Sequence, residues 1–295
     1  MLIRGSCTAL ITPFKSGAID EKRLRELVDF QIANRTVAVV PCGSTGESAT
    51  LSHWEHERVL EIVVDQAKGR IAVIAGSGSN STQEAIELTR HAQTVGADAA
   101  LVIVPYYNKP TQQGMFEHFS KIAHTVSIPI IIYNIPGRTA VNMLPATVVR
   151  LVESNKNILG IKESSGSLDQ ASEIASALRG HKDFMLLSGE DSLSLPLLAV
   201  GAVGVISVLA NIAPRDVSDM CRQFFKGNIK QAQALHYKML PLVQALFVET
   251  NPSPIKTAME LMRMASGELR LPLTPLLPES KKKLVHEMKK YGLLK

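Results

Sequence analysis

The sequence predicts an α/β protein, a (β/α)8 TIM barrel followed by a C-terminal three-helix domain. Three observations predict it. Eight strand-type apolar runs are spread over residues 1–225, with helical periodicity in most of the intervals between them. Nearly every run ends in a polar or glycine-rich motif, and a barrel builds its site from the C-terminal ends of its strands. After residue 225 the strand signals stop.

The runs lie at 6–11, 37–41, 71–75, 99–104, 130–133, 158–161, 184–187 and 203–207. Between the first two, Leu24, Leu27, Val28 and Ile32 recur at helical spacing; Val59, Leu60, Val63 and Val64 do so in the next interval, and Ala85, Leu88 and Ala92 in the one after. A doubly wound sheet would need a phosphate or dinucleotide fingerprint after an early strand, and Gly76-Ser77-Gly78 lacks the third glycine of G-x-G-x-x-G. Residues 195–210 are apolar but too short for a membrane span, and Pro196, Gly201, Gly204 and Ser207 punctuate them; they predict a helix, a turn and a buried strand. Segments 229–248, 253–265 and 279–291 predict three helices, with Pro252, Pro254, Pro272, Pro275 and Pro278 in the joins. The domains expected are a barrel over 1–225 and a helical unit over 226–295, the latter too small for catalysis of its own and suited to packing or assembly.

One strand end organises the rest. The run 158–161 is followed by Lys162, which should emerge at the strand's carboxyl end. Lysine is seldom buried without a reason, and desolvation disfavours its ammonium form. The neutral amine is a nucleophile able to form a Schiff base with a ketone. Taken alone, the residue is as well explained by a carboxylate on a neighbouring strand or by snorkelling to solvent.

The net charge of +5 is spread along the chain. Its one dense cluster, Lys281–Lys283 with Lys289 and Lys290, alternates with Leu284, Val285 and Met288 and reads as the solvated face of a helix. Aromatic residues are only 5% of the chain, so no stacking platform accompanies the charge and no nucleic-acid partner is expected. Cys7, Cys42 and Cys221 lie far apart with no C-x-x-C pair, which predicts a reducing compartment and neither a disulfide framework nor a zinc site. A strand begins near the N-terminus without signal-peptide architecture, so the expectation is a cytoplasmic protein with no membrane segment.

The strand-end motifs GSTGES (43–48), PYYNKP (105–110), YNIPGRT (133–139), GIKESSG (160–166) and SGED (188–191) together resemble the dihydrodipicolinate synthase family, also called 4-hydroxy-tetrahydrodipicolinate synthase, of the pyruvate-dependent class I aldolases. The likeness runs from about residue 3 to the C-terminus. It implies a (β/α)8 barrel with a C-terminal helical domain, a homotetramer, and no organic cofactor; the residues themselves, without H-E-x-x-H or a third ligand, lead to the expectation of no metal. The resemblance also implies that Lys162 forms an imine with pyruvate, whose enamine adds to L-aspartate 4-semialdehyde. Tyr133, Ser44 and Tyr107 would form the proton relay, Tyr107 coming from a neighbouring subunit. A phenol is a poor base at neutral pH unless its proton can move on, which is what such a relay supplies. Thr45 would hold the pyruvate carboxylate with backbone near Gly189 and Ile206. Arg138 would take the semialdehyde carboxylate, a task its two-pronged donor geometry suits. The chain departs from the usual family pattern at Ser44 and Leu209, where threonine is common. Serine at 44 also occurs in the sialic acid lyase branch, whereas sugar-acid lyases generally lack the Gly-Arg-Thr run.

In lysine-inhibited members an allosteric site lies at a subunit interface, and the matching positions are Ser48, Ala49, Leu51, His53, His56, Asn80, Glu84 and Tyr106. If the backbone stays extended, Tyr106 and Tyr107 point oppositely, one to each site. L-lysine would set its carboxylate near the histidines and its ammonium groups near Glu84. The residues also carry plainer readings: Ser52-x-x-Glu55 and Ser81-x-x-Glu84 are capping boxes, and His53 and His56 stand one helical turn apart as a metal pair would. Two other functions stay open. One is a pyruvate-dependent aldolase or lyase acting on a sugar-derived 2-keto acid; the other is a ligand-binding regulator that keeps the barrel without turnover.

Overall fold

The computed structural model describes residues 3–295, so the first two positions of the expected barrel domain lie outside it. Eight parallel strands close a barrel: β1 (Gly5–Ala9), β4 (Ala38–Val40), β5 (Ala72–Gly76), β6 (Ala99–Ile103), β7 (Ile130–Asn134), β8 (Ile158–Glu163), β9 (Met185–Ser188) and β10 (Gly204–Ser207). Closure is made by β1, which pairs with β10 on one side and β4 on the other. A short hairpin of β2 (Phe14–Lys15) and β3 (Ala18–Ile19), absent from the strands read in the sequence, follows β1.

Helices α1 (Glu21–Ala33), α2 (His53–Ala67), α3 (Thr82–Thr94) and α4 (Gln112–Thr125) fill the first intervals. Each begins on a side-chain cap that satisfies an orphan N–H: Asp20, Ser52, Ser81 and Thr111. After β7 come a single turn, α5 (Pro136–Thr139), and α6 (Pro145–Ser154); α7 (Leu168–Ala177), α8 (Ser194–Ala199) and α9 (Pro214–Phe225) complete the ring. The C-terminal helices are α10 (Ile229–Ala245), α11 (Ser253–Leu261) and α12 (Pro278–Tyr291). The sequence reading overextended the first two, which stop at Ala245 and Leu261, while Pro241 is accommodated inside α10. On α12, Leu284 and Met288 are buried and the lysine cluster faces solvent, as expected. No helix among the described residues is long and apolar enough to cross a membrane.

Alternation along the strands divides the core in two. Ile131 and Tyr133 of β7 point inward with Cys7, Val40, Ile74, Leu101, Leu187 and Ile206, whereas Ile130 and Ile132 pack outward against the helices. This period of two places Tyr133 in the barrel. The strand β8 runs further than its apolar run, so Lys162 sits within it, paired with Tyr133 on one side and Leu187 on the other. The ladder extends through Glu163 because that carboxylate, though buried, accepts from Asn134, the Ser165 backbone and Gln170.

Candidate active site

Lys162 and Tyr133 face each other across the β7–β8 ladder near the C-terminal ends of the strands. The ammonium nitrogen lies 4.0 Å from the centre of the Tyr133 ring, and both residues are buried. Gly189 closes the opposite flank, its N–H donating to the Glu163 carbonyl at 2.8 Å. A Cβ at 189 would stand 2.9 Å from Cε of Lys162 and 1.7 Å from Oγ of Ser164, so only glycine leaves room for the lysine stem. Ile206 is buried in the same inner cluster as Tyr133. Beyond β10, the Asp191 carboxylate accepts from the Ser207 hydroxyl and from the N–H groups of Val208 and Leu209 at 2.8 and 3.1 Å. Leu209 therefore contributes a backbone donor that any residue except proline would supply, and its side chain fills the core.

The loop 43–48 is fixed from the C-terminal part of the chain. Nδ2 of Asn251 donates to Oγ1 of the buried Thr45 at 2.9 Å, and the Asn251 carbonyl accepts from Nη2 of Arg138 at 2.9 Å. Two residues after Thr45, Glu47 takes a left-handed backbone conformation with φ of 54°. Its carboxylate is held by the Lys256 ammonium and by the Arg270 N–H at 3.2 Å. Lys256 lies 4.1 Å and Arg270 4.3 Å from the ring centre of Phe14. Arg270 also pairs with Glu55, whose carboxyl it pulls down to about 2. The C-terminal helical segment, expected only to pack or assemble, thus reaches the barrel mouth.

The segment around Tyr107 is not extended. The Asn108 N–H donates to the Tyr106 carbonyl at 2.8 Å, closing a tight turn in which Tyr107 has φ of 71°. Tyr107 is 90% exposed, whereas Lys162 and Tyr133 are buried. Ser44, half-buried, lines a cavity of about 430 Å³ together with Arg138 and Asn251. Ser48, Ala49, Leu51, His53, His56, Glu84 and Tyr106 line the same cavity, whereas Asn80 is not among its lining residues; its carbonyl accepts from Nδ2 of Asn108 at 2.9 Å. Lys162, Tyr133, Thr45, Gly189 and Ile206 lie outside its lining.

The plainer readings separate here. Ser52 and Glu55 form a full capping box. Ser81 caps α3, but the Glu84 carboxylate turns instead to the Ser79 hydroxyl and to Nε2 of His53, 2.7 Å away. Those hydrogen bonds, Ser79 first, hold Glu84 below the usual carboxylate range. His56 contacts the Gly76 carbonyl through Nε2 at 2.8 Å, so Nε2 carries the proton. Nδ1 of His56 is then a buried acceptor with no partner. Burial pushes this imidazole down to about 4, and its free side suits an ammonium group rather than a carboxylate. Among the described residues no group of three or more His, Cys, Asp or Glu is placed to hold a metal ion.

Asn251, Lys256 and Arg270 were missed as parts of this region, and Glu47 was read only as a member of the 43–48 motif, without its partners. One signal was available: Lys256 sits on a helix whose neighbouring positions Ile255, Ala258 and Met259 are all apolar, and a lysine on such a face calls for a buried partner.

The Dihydrodipicolinate synthetase family pattern matches residues 2–291. A 4-hydroxy-tetrahydrodipicolinate synthase of Geotalea uraniireducens (strain Rf4) is 55% identical over 293 residues, 99% of this chain and 100% of that protein. Among solved structures, the chloride inhibited dihydrodipicolinate synthase from Acinetobacter baumannii complexed with pyruvate superposes with a TM-score of 0.96 at 43% identity, covering 99% of this chain and 100% of the other. DHDPS from Cyanidioschyzon merolae with lysine bound does so with a TM-score of 0.96 at 41% identity, covering 99% of each chain.

Proposed function

The chain belongs to the dihydrodipicolinate synthetase family, and we propose that it works as that family's Schiff-base lyase. The reaction condenses pyruvate with L-aspartate 4-semialdehyde to give 4-hydroxy-tetrahydrodipicolinate, in diaminopimelate and lysine biosynthesis. The observation that carries the site assignment is the buried Lys162 set against the Tyr133 ring at the mouth of the barrel.

Nζ of Lys162 attacks C2 of pyruvate and one water leaves, giving the imine. Protonated on nitrogen, the imine becomes an iminium, a better electron sink than the ketone, so a C3 proton is lost and the enamine forms. C3 adds to the aldehyde carbon of the semialdehyde, whose oxygen takes up a proton and stays as the hydroxyl. The amine of the same substrate then attacks C2 and displaces Lys162 as the ring closes. Tyr133 carries protons between the imine and the relay of Ser44 and Tyr107. Thr45, with backbone at Gly189 and Ile206, holds the pyruvate carboxylate; Arg138 holds that of the semialdehyde. Tyr107 enters a neighbouring subunit's site in this reading, which its exposure at the tip of a tight turn supports. This fits a homotetramer built as a dimer of dimers, with barrel 1–225 and helical domain 226–295, acting in the cytoplasm.

L-lysine is the proposed inhibitor. The neighbour from Cyanidioschyzon merolae has lysine bound, and here Ser48, Ala49, Leu51, His53, His56, Glu84 and Tyr106 line one cavity; Asn80 is carried over as the remaining member of the proposed site. The free Nδ1 of His56 and the Glu84 carboxylate are acceptors for its ammonium groups. A coupled assay with pyruvate and L-aspartate 4-semialdehyde tests the activity. Turnover only with a sugar-derived 2-keto acid would favour the lyase reading, and none with either the regulator.

A further inference from the structure

The proposed carboxylate-binding groups, Thr45 and Arg138, come from different loops, and one residue outside the barrel touches both. Asn251 lies between α10 and α11 and is almost wholly buried. Its side-chain nitrogen meets Oγ1 of Thr45 at 2.9 Å and its carbonyl oxygen meets the Arg138 guanidinium at 2.9 Å. Its own Oδ1 is buried without a partner. Five residues on, Lys256 grips Glu47, so the segment 251–256 clasps the loop 43–48 at two points.

The side-chain contact has a directional consequence. An amide nitrogen has no lone pair to offer, so Thr45 must be the acceptor in this bond. A threonine hydroxyl has one proton, and no acceptor among the described residues takes it. With one lone pair filled by Asn251, the hydroxyl is turned into a donor aimed elsewhere. A carboxylate is acceptor-only and needs such a donor.

Resting on the proposed role of Thr45 in holding pyruvate, we propose that Asn251 is a positioning residue. It orients the Thr45 hydroxyl as a hydrogen-bond donor to the pyruvate carboxylate, while its main-chain oxygen sets Arg138 for the second carboxylate. Through it the C-terminal helical segment takes part in substrate binding.

The test is the pyruvate dependence of borohydride trapping at Lys162, alongside steady-state kinetics, in Asn251→Ala and Asn251→Asp. Loss of one buried hydrogen bond predicts a rise of about tenfold in half-saturating pyruvate and in KM for Asn251→Ala, with kcat changed less. Asn251→Asp keeps the shape but replaces the donor with a charged acceptor, and its rise should exceed that of the alanine variant. In a Thr45→Val background, Asn251→Ala should add nothing. Equal or no effect of the two variants, or full additivity with Thr45→Val, overturns the proposal. Should the Asn251 variants fail to fold, the crystal structure of the reduced pyruvate adduct of the wild type decides: the proposal requires Oγ1 of Thr45 between Nδ2 of Asn251 and the carboxylate, and a carboxylate not touching Thr45 contradicts it. Absence of any wild-type adduct at Lys162 would instead defeat the Schiff-base reading itself.

Discussion

Lys256 and Glu47 form an ion pair from which solvent is fully excluded, with both side chains at 0% exposure. Burial pushes the lysine's pKa down and the carboxylate opposes that shift. Removing one partner leaves the other charged, buried and unpaired, which costs about 3–5 kcal/mol. Lys256→Met and Glu47→Gln should each lower the urea midpoint accordingly. Glu47→Gln combined with Lys256→Met should cost less than the sum of the single changes; additive losses would show that the pair is not coupled.

Tyr107 should act across a subunit boundary, since within its own chain it is exposed while Lys162 is buried. Mixing inactive Tyr107→Phe with inactive Lys162→Ala should restore part of the activity, because a hybrid can contain one complete site. No recovery, with subunit exchange demonstrated by mass spectrometry, would refute a shared site.

Much of the barrel was legible because strand burial and helix periodicity are local signals. The strand–helix alternation put Tyr133 and Lys162 at the ends of successive expected strands, and the resemblance carried by motifs such as 160–166 joined them in one site. What was not legible depends on contacts distant in sequence. Asn251 reaches Thr45 across 206 positions and Lys256 reaches Glu47 across 209, and neither partner carries a local mark of the other. The condition of an extended backbone at Tyr106 and Tyr107 does not hold, and the turn was not legible because a left-handed tyrosine is disfavoured by its own sterics. The hairpin at Phe14–Ile19 escaped because two-residue strands give no periodicity.

Stability should fall on mild acidification. Burial pushes His56 and His118 down to about 4, against an ordinary value of 6.5. Above pH 6.5 neither folded nor unfolded chain binds these protons, so the full stability is present. As pH falls from 6.5 toward 4 only the unfolded chain binds them, and about 3 kcal/mol per histidine is lost. Urea titrations across this window should show the slope, and His118→Gln should reduce it. A flat profile would contradict the burial of both imidazoles in solution.

L-lysine should quench or enhance Trp54 fluorescence saturably over the range that inhibits turnover. Trp54, the single tryptophan, is 69% exposed in the first turn of α2 between His53 and His56. Both responses should weaken together in His56→Ala and Glu84→Ala, with helicity by circular dichroism unchanged. Calorimetry that detects no L-lysine binding to the wild type, with turnover unaffected, would remove the regulatory site.

The central claim is that Lys162 forms the Schiff base, and borohydride trapping reads it directly. Wild-type protein treated with pyruvate and borohydride should gain one reduced pyruvyl group per chain, mapped by peptide mass spectrometry to Lys162 and absent from Lys162→Ala. An unmodified protein, or an adduct on any other lysine, would contradict the account.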